Sequence, residues 1–493
     1  MKDYLLAIDQ GTTHSRAIIF NRVGQLVNLH EVNIKQFFPH PAWVEQSPND
    51  FYDKTVECCR EVLKKSGLMA KDIAAIGIAN QRETTIIWDK ATGEAIYPAI
   101  VWQDRRSSEL CRQWTADPSY DDIPKKTGLR FDPYFSALKI LWILDNVPQA
   151  RYRAERGELL FGTVDTYLLW RLTGGKVHKT DVTNASRTLL FNIYTQTWDH
   201  TILAKLNIPA ALLPTIEDNA ASFGMLDHSI LGDEIPIAAM IGDQQAAAVG
   251  QACFQRGMVK TTYGTGCFML LNTGSDVLFH PPLLSTVLYR INQQMTYGIE
   301  GSIFSAGVVV KWLRDTLKII KTSAETEQLA SSLSDTDGVY LVPAFTGLGA
   351  PYWKPEARAA LLGITTHTQA AHIVRAGLES VIYQTKDLLN SMQWNKENMK
   401  TMRVDGGMAA NDWLLQFLAD MLALPIERPQ NIETTALGAA YLAGLQVGLY
   451  TSLDEIAMQW KMEKEFQPIM SAAQRSQLYQ GWQRAVACVL QYG

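Results

Sequence analysis

A chain of 493 residues with 47% hydrophobic and 19% charged side chains has ordinary globular composition and exceeds what one core organises, so two or three domains are expected. Its 45 Lys and Arg against 50 Asp and Glu give a net charge of −5 with no dense basic run, which argues against a nucleic-acid partner. Nucleotides stay open, because phosphates are held by local backbone N–H groups and metal ions.

The predicted elements begin with a short apolar strand, Leu5–Ile8, a turn at Asp9-Gln10-Gly11-Thr12-Thr13, and a second strand over Ala17–Phe20. Ser47 as N-cap, Pro48 at the first helical position and Gly67 just past the end predict a helix over Pro48–Lys65. Ile73–Ala79 reads as a buried strand ending in the polar cluster Asn80-Gln81-Arg82-Glu83, and Thr84–Trp88 as a further strand running into a turn at Asp89–Gly93. Another apolar run, Ile237–Ile241, stops at Gly242-Asp243-Gln244-Gln245 before the small residues Ala246–Val249. Met258–Leu271 then repeats the opening: strand, Tyr263-Gly264-Thr265-Gly266, strand. Near the end, Arg403-Val404-Asp405 closes a strand with Gly406-Gly407 and opens a helix at about Asn411. Alternating strands and helices predict an α/β fold, and the repeated hairpin predicts two related domains facing each other, 1–250 and 251–493.

Six cysteines form no C-x-x-C pair and no zinc spacing, which points to a reducing compartment. A charge within the first residues argues against a signal peptide, and no apolar run approaches the ~20 residues of a membrane span. The cytoplasm, with no membrane insertion, is the expected location.

The chemistry concentrates where strands stop. N–H groups of Gly11, Thr12 and Thr13 can converge on a phosphate, with Asp9 offering carboxylate oxygen to Mg²⁺; the alternative is a capping Asp in a β-turn. Neither a G-x-x-x-x-G-K-[ST] loop nor a protein-kinase signature set is present, so phosphate binding must use another architecture. A carboxylate at the end of a buried strand gains basicity, which suits Asp243 to take a proton from an attacking hydroxyl; the alternative makes it the N-cap of a helix starting near Gln244. Arg82 and Glu83 either pair with each other or supply donors and acceptors to vicinal hydroxyls, and Trp102 and Tyr134 would face a substrate's carbon side. Gly406-Gly407 would let backbone approach a flat ligand, with Asn411 near a purine or ribose.

Taken together, these stretches resemble the FGGY carbohydrate kinases along nearly the full chain. The resemblance also rests on Asp132–Ser136, Phe161–Thr166, the signature from Tyr134 to Asn146 around Lys139 and Trp142, and a second signature from Ala359 to Glu379, where Gly377 replaces a slightly larger residue. It implies an actin-like ATPase fold, two ribonuclease-H-like domains around a nucleotide cleft. It implies transfer of the γ-phosphoryl of MgATP to glycerol, giving sn-glycerol 3-phosphate and ADP in glycerol catabolism. Asn80–Glu83 stands where related sugar kinases carry a Met-His-containing motif, which favours glycerol over xylulose or gluconate. By the same resemblance Arg82, Glu83, Tyr134, Asp243 and Gln244 bind glycerol, Trp102 and Phe268 line its carbon side, and Asp243 is the general base; Asp9, read from its turn, is the expected Mg²⁺ ligand and second catalytic residue. Thr12, Thr13, Arg16, Thr265, Gly307, Gly407 and Asn411 contact the nucleotide. His14 stands there where Ser is usual and Lys311 where Gln is typical near the adenine. The loop Asp227–Glu234 lacks the Gly-Gly-x-Arg element that binds fructose 1,6-bisphosphate in some relatives, so that inhibition is not expected, and His228 is read as a solvated loop residue. The expected assembly is a homodimer or homotetramer. The alternatives are an FGGY kinase of a longer polyol or sugar, and an actin-like ATP-binding regulator without transfer activity.

Overall fold

The computed structural model describes residues 2–279, 281, 283–354, 356–392, 399 and 401–492. Tyr4–Gln10 (β1) and His14–Asn21 (β2) form the opening hairpin, and Leu26–Asn33 (β3) continues it as an antiparallel meander. β1 is two residues longer at its end than the apolar run predicts. Asp9 and Gln10 belong to the strand because their backbones pair with β2 on one side and with Ile73–Asn80 (β4) on the other. Asp9 is therefore a strand residue rather than a turn residue. Ile237–Gly242 (β5) adds beyond β4, and the sheet order is β5-β4-β1-β2-β3 with β1, β4 and β5 parallel.

The predicted helix is Pro48–Ser66 (α1), with Asp50 N–H donating to the Ser47 hydroxyl and Gly67 in the left-handed region at φ 71°. Its stripe of Phe51, Cys58, Val62 and Leu63 covers one face of the sheet beside Leu6, Ile8, Ile76 and Ile78. The strand expected over Thr84–Trp88 is observed at Ile86–Asp89. Thr84 N–H instead closes a three-residue turn onto the Arg82 carbonyl at 2.7 Å, around Glu83 at φ 61°. That turn takes Thr84 out of any ladder.

A second sheet is built from Met258–Tyr263 (β6), Cys267–Gly274 (β7), Leu284–Ile291 (β8), Gln294–Ile303 (β9), Thr401–Asp405 (β10), Ile426–Pro429 (β11) and Met462–Phe466 (β12). The order is β8-β9-β7-β6-β10-β11-β12. Its inner five strands, β9-β7-β6-β10-β11, repeat the antiparallel meander and parallel pair of the first sheet. The doubled hairpin of the sequence is thus one corner of a doubled sheet, as an actin-like fold requires.

The halves meet through small residues. Asp243–Gly250 (α2) follows β5, and Thr434–Gln446 (α3) lies across both α2 and the first sheet, with Ala439 and Ala440 beside Leu5, Ala7 and Ala75. A Cβ on Gly438 would stand 1.9 Å from the Ala246 carbonyl oxygen, and one on Gly77 would stand 2.2 Å from that of Ala439. Backbone rests on backbone here, which only glycine permits.

Candidate active site

Three parallel strands of the first sheet stop level with one another, since Gln10 and Gly242 are both register partners of Asn80. Gly11–Thr13, Gln81–Glu83 and Asp243–Gln245 therefore emerge side by side at the carboxyl ends of the strands, where ligands of open α/β sheets bind. In the second sheet Thr262 pairs with Asp405, so Tyr263–Gly266 and Gly406–Gly407 leave the corresponding edge.

Asp243 is the first residue of α2, and the N-cap is Gly242, so the reading of Asp243 as cap of a helix from Gln244 is corrected. Its carboxylate accepts from the Gln244 N–H at 2.7 Å and lies 3.2 Å from the Arg82 Nε. Burial drives this carboxyl up to about 6; Arg82 pulls it down, Glu83 adds to the rise, Lys260 opposes it and Asp9 adds again. A carboxylate with that basicity can serve as a proton acceptor near neutral pH. Gly242 carries no side chain because a Cβ would press on the Arg82 stem at 2.7 Å.

Arg82 and Glu83 do not pair with each other, as one reading of the sequence had it. Arg82 forks onto Glu300 of β9, Nη1 to Oε2 at 2.6 Å and Nη2 to Oε1 at 3.2 Å, and Nη1 also reaches the Gln245 Oε1 at 3.2 Å. Glu83 accepts from the Arg187 Nε at 2.6 Å, and the Arg187 Nη2 donates to the Glu300 Oε1 at 3.1 Å. All four side chains are buried. Burial opposes the charge on Glu300, yet Arg187 and Arg82 outweigh it and hold this carboxyl at about 2.

Tyr134 and Trp102 meet edge to face, with ring centroids 5.7 Å apart, beside this network. The buried Lys139 of the signature donates to the Pro133 carbonyl at 3.0 Å and to the Tyr134 carbonyl, fixing the loop that carries the ring. Trp102 also reaches the turn after β1: its Nε1 donates to the Thr12 hydroxyl at 2.9 Å. Gln244 accepts from the Lys260 Nζ at 2.7 Å. Lys260 is buried in β6, and burial lowers its basicity against the pull of Asp405 and Asp243.

Along the opening hairpin, Arg16 donates to one oxygen of Asp9, with Nε at 3.1 Å, and its Nη1 reaches the Glu433 Oε2 at 2.7 Å, tying β2 to the start of α3. His14 opens β2 and bonds the Thr13 hydroxyl through Nδ1 at 2.8 Å. Across from it, the Gly264 carbonyl accepts from the Gly307 N–H at 2.9 Å, and the Thr265 carbonyl from Ala306 and Val308, each at 3.1 Å. Gly406, at φ 90°, leaves no room for a side chain, since a Cβ would lie 2.5 Å from the Tyr263 carbonyl oxygen; nothing lies within 4 Å of one on Gly407. Asn411 caps the helix Asp412–Leu422 and donates to the Thr326 hydroxyl at 3.3 Å, so both ends of its amide are engaged. Lys311 is exposed at the end of the helical turn Gly307–Lys311, and Phe268 is half-buried in β7 opposite Thr262. His228, exposed, opens a short helical turn capped by Asp227 rather than a loop.

Residues 4–250 match the N-terminal domain of the FGGY family of carbohydrate kinases, and residues 259–447 match its C-terminal domain. The chain belongs to this family. Within it, the chain is 57% identical to a glycerol kinase of Coxiella burnetii over 99% of this chain and 97% of that one. Among solved structures it resembles Plasmodium falciparum glycerol kinase with ADP, with a TM-score of 0.92 and 38% identity over 99% and 98% of the two chains. A xylulose kinase from Lactobacillus acidophilus, 22% identical with a TM-score of 0.88 over 99% of this chain and 100% of that one, shares the fold. The FGGY fold is the actin-like ATPase fold that the family resemblance implied, consistent with the doubled hairpin.

Arg187, Glu300 and Lys260 were missed in the sequence. Glu300 and Lys260 are each the one charge in an otherwise uncharged strand, and a charge at a buried strand position is the signal that could have found them. Among the described residues no three or more His, Cys, Asp or Glu side chains group as a metal cage, and no helix is long and apolar enough to cross a membrane.

Proposed function

We infer that this chain transfers the γ-phosphoryl group of ATP to a terminal hydroxyl of glycerol, giving sn-glycerol 3-phosphate and ADP. The observation that carries the reading is Asp243, a carboxylate of raised basicity held 3.2 Å from Arg82 at the level where the phosphate turn and the Arg82–Glu83 cluster emerge. The glycerol kinases this chain resembles at 57% and 38% identity support the substrate.

In this reading Arg82, Glu83, Tyr134 and Gln244 hold the hydroxyls of glycerol, and Trp102 and Phe268 face its carbons. Lys260 can only donate, so it takes the Gln244 Oε1 and leaves the amide NH₂ for a substrate oxygen. Asp243 accepts the proton from the attacking hydroxyl. Thr12, Thr13, His14 and Arg16 receive the terminal phosphates, while Thr265, Gly307, Lys311, Gly407 and Asn411 receive the rest of the nucleotide. Asp9 lies close enough to Asp243 to add to the rise of its carboxyl, and Arg16 occupies only one oxygen of Asp9 and leaves the other for a cation. That donor set fits Mg²⁺, which binds through one or two carboxylates together with phosphate oxygens and water. When bound, Mg²⁺ neutralises charge on the β- and γ-phosphates. Catalysis otherwise comes from positioning two reactants in a closed, dry cleft.

We further propose a division into domains 1–250 and 251–493, a homodimer or homotetramer, and a cytoplasmic location, the last supported by six free cysteines, five of them buried. A coupled ADP-release assay with MgATP and a panel of glycerol, dihydroxyacetone, erythritol, xylulose and gluconate tests the function. Turnover on glycerol, with dihydroxyacetone at most a weaker second, is the expected result. Activity confined to a longer compound overturns the substrate, and silence across the panel with ATP still bound overturns the transfer reaction.

A further inference from the structure

The polyol pocket of the proposed reaction is walled by two charged residues, Arg82 and Glu83, and neither is held by the other. Glu83 sits in the left-handed region at φ 61°, in a three-residue turn closed by Thr84 N–H on the Arg82 carbonyl. Such a backbone in a non-glycine residue is strained and persists only where its surroundings over-determine it. Here the Glu83 carbonyl accepts from the hydroxyls of Ser136 and Thr85, each at 3.0 Å, and its carboxylate from Arg187. Arg82 is held at the far end of the same chain of charges, by the fork onto Glu300.

We propose that Arg187 and Glu300 are the positioning residues of the polyol site, forming one alternating ion chain, Arg82–Glu300–Arg187–Glu83, that fixes both substrate-binding side chains at once. Three observations carry this. Arg187 alone bridges the two carboxylates, through Nε to Glu83 at 2.6 Å and Nη2 to Glu300 at 3.1 Å, a geometry that requires a planar fork and that an ammonium group cannot reproduce. The four side chains are between 0% and 3% exposed, so removing any member leaves a buried charge without its partner. The guanidinium of Arg187 also lies 5.6 Å from the ring of Tyr134, so the same residue packs against a third wall of the pocket.

The chain crosses the molecule. Arg82, Glu83 and Arg187 come from the first half, whereas Glu300 stands in β9 of the second sheet. The orientation of Arg82 toward a polyol is therefore set by a residue of the opposite half, and the pocket is complete only when the two halves are docked. This rests on the reading of Arg82 and Glu83 as polyol ligands.

The test is steady-state kinetics on the full-length chain carrying R187M, R187K, E300Q or E300D. Removing one partner of a buried, hydrogen-bonded ion pair costs on the order of 30-fold or more. R187M and E300Q are expected to lower kcat/KM for glycerol by at least about that factor, chiefly through KM, with the KM for ATP and the glycerol-independent ATP hydrolysis within about twofold of the parent. R187K keeps the charge but loses the fork, so it is expected to recover only part of the loss, and E300D likewise. If R187M or E300Q does not fold, as judged by thermal melting, the conservative variant supplies the same split. Unchanged glycerol kinetics in these variants would overturn the proposal. So would equal losses for glycerol and ATP, which is the mark of a merely structural role. The parent chain is measured first on the polyol panel. If it turns over a longer polyol instead, the glycerol reading fails while the ion chain is tested by the same split on that polyol.

Discussion

In the proposed reaction, replacing Asp243 with Asn removes the proton acceptor while keeping the shape of the side chain. The amide oxygen can still accept from the Gln244 N–H, although the ion pair with the Arg82 Nε, now 3.2 Å away, loses its charge. Loss of a positioned general base lowers turnover by roughly 10²–10⁴, or about 3–5 kcal/mol in barrier. The KM for glycerol is expected to stay within about threefold, because the hydroxyl-binding groups remain. The parent enzyme needs Asp243 ionised, so kcat/KM should fall about tenfold per pH unit below about 6, and this limb should vanish from the residual activity of the variant.

Stability should move the other way. The folded-state carboxyl is raised from 3.8 to about 6, so proton binding to the native state favours folding fully below pH 3.8, and this contribution is lost as pH rises through about 6. The ionised group opposes folding at neutral pH by at most about 3 kcal/mol. Its side chain is 29% exposed in the cleft, so screening reduces the figure to about 1 kcal/mol. D243N should therefore melt higher than the parent at pH 8 and show no advantage at pH 4. Coupled ADP release and thermal melting across pH measure both arms. Near-parental turnover, or an acid limb that persists unchanged in the variant, would remove Asp243 from the chemistry.

Three further outcomes follow from single contacts. Lys260→Met removes a cation that lowers the Asp243 carboxyl, so the acid limb of kcat/KM should move above about 6, as read from a pH profile. Gly307→Ala places a Cβ 2.6 Å from the Gly264 carbonyl oxygen, so the second hairpin must shift; the KM for ATP should rise about tenfold or more with the KM for glycerol unchanged. Gly438→Ala drives a Cβ to 1.9 Å from the Ala246 carbonyl and pushes α2 from α3, which thermal denaturation should register as a loss of about 1–3 kcal/mol.

Much of the frame was legible because local signals and burial agreed. Ser47, Pro48 and Gly67 bounded α1 within a residue, and the two Gly-Thr turns announced two sheets of like topology. Errors arose where long-range pairing overrode local chemistry. Asp9 looked like a turn residue because polar side chains usually end strands, yet neighbours on both sides of β1 carry the ladder through Gln10. Asp243 looked like a cap because a carboxylate before a small-residue run commonly is one, and Gly242 takes that place.

The ion pairs were the least legible, and the reason is physical. Arg82 and Glu83 stand on a tight turn just past the strand, and their partners lie at separations of 218 and 104 residues, beyond the reach of any local pattern. Burying four charges costs heavily unless each is paired and hydrogen-bonded, so Arg82 and Glu83 at the end of a buried strand require a cation and a carboxylate from elsewhere in the fold. The partners must then be charges standing where the sequence calls for apolar residues. Glu300 in β9 of the second sheet meets that condition for Arg82, while Arg187 of the first half meets it for Glu83. A substrate pocket that borrows its counter-charge across the cleft is consequently a pocket whose geometry reports whether the two halves are together.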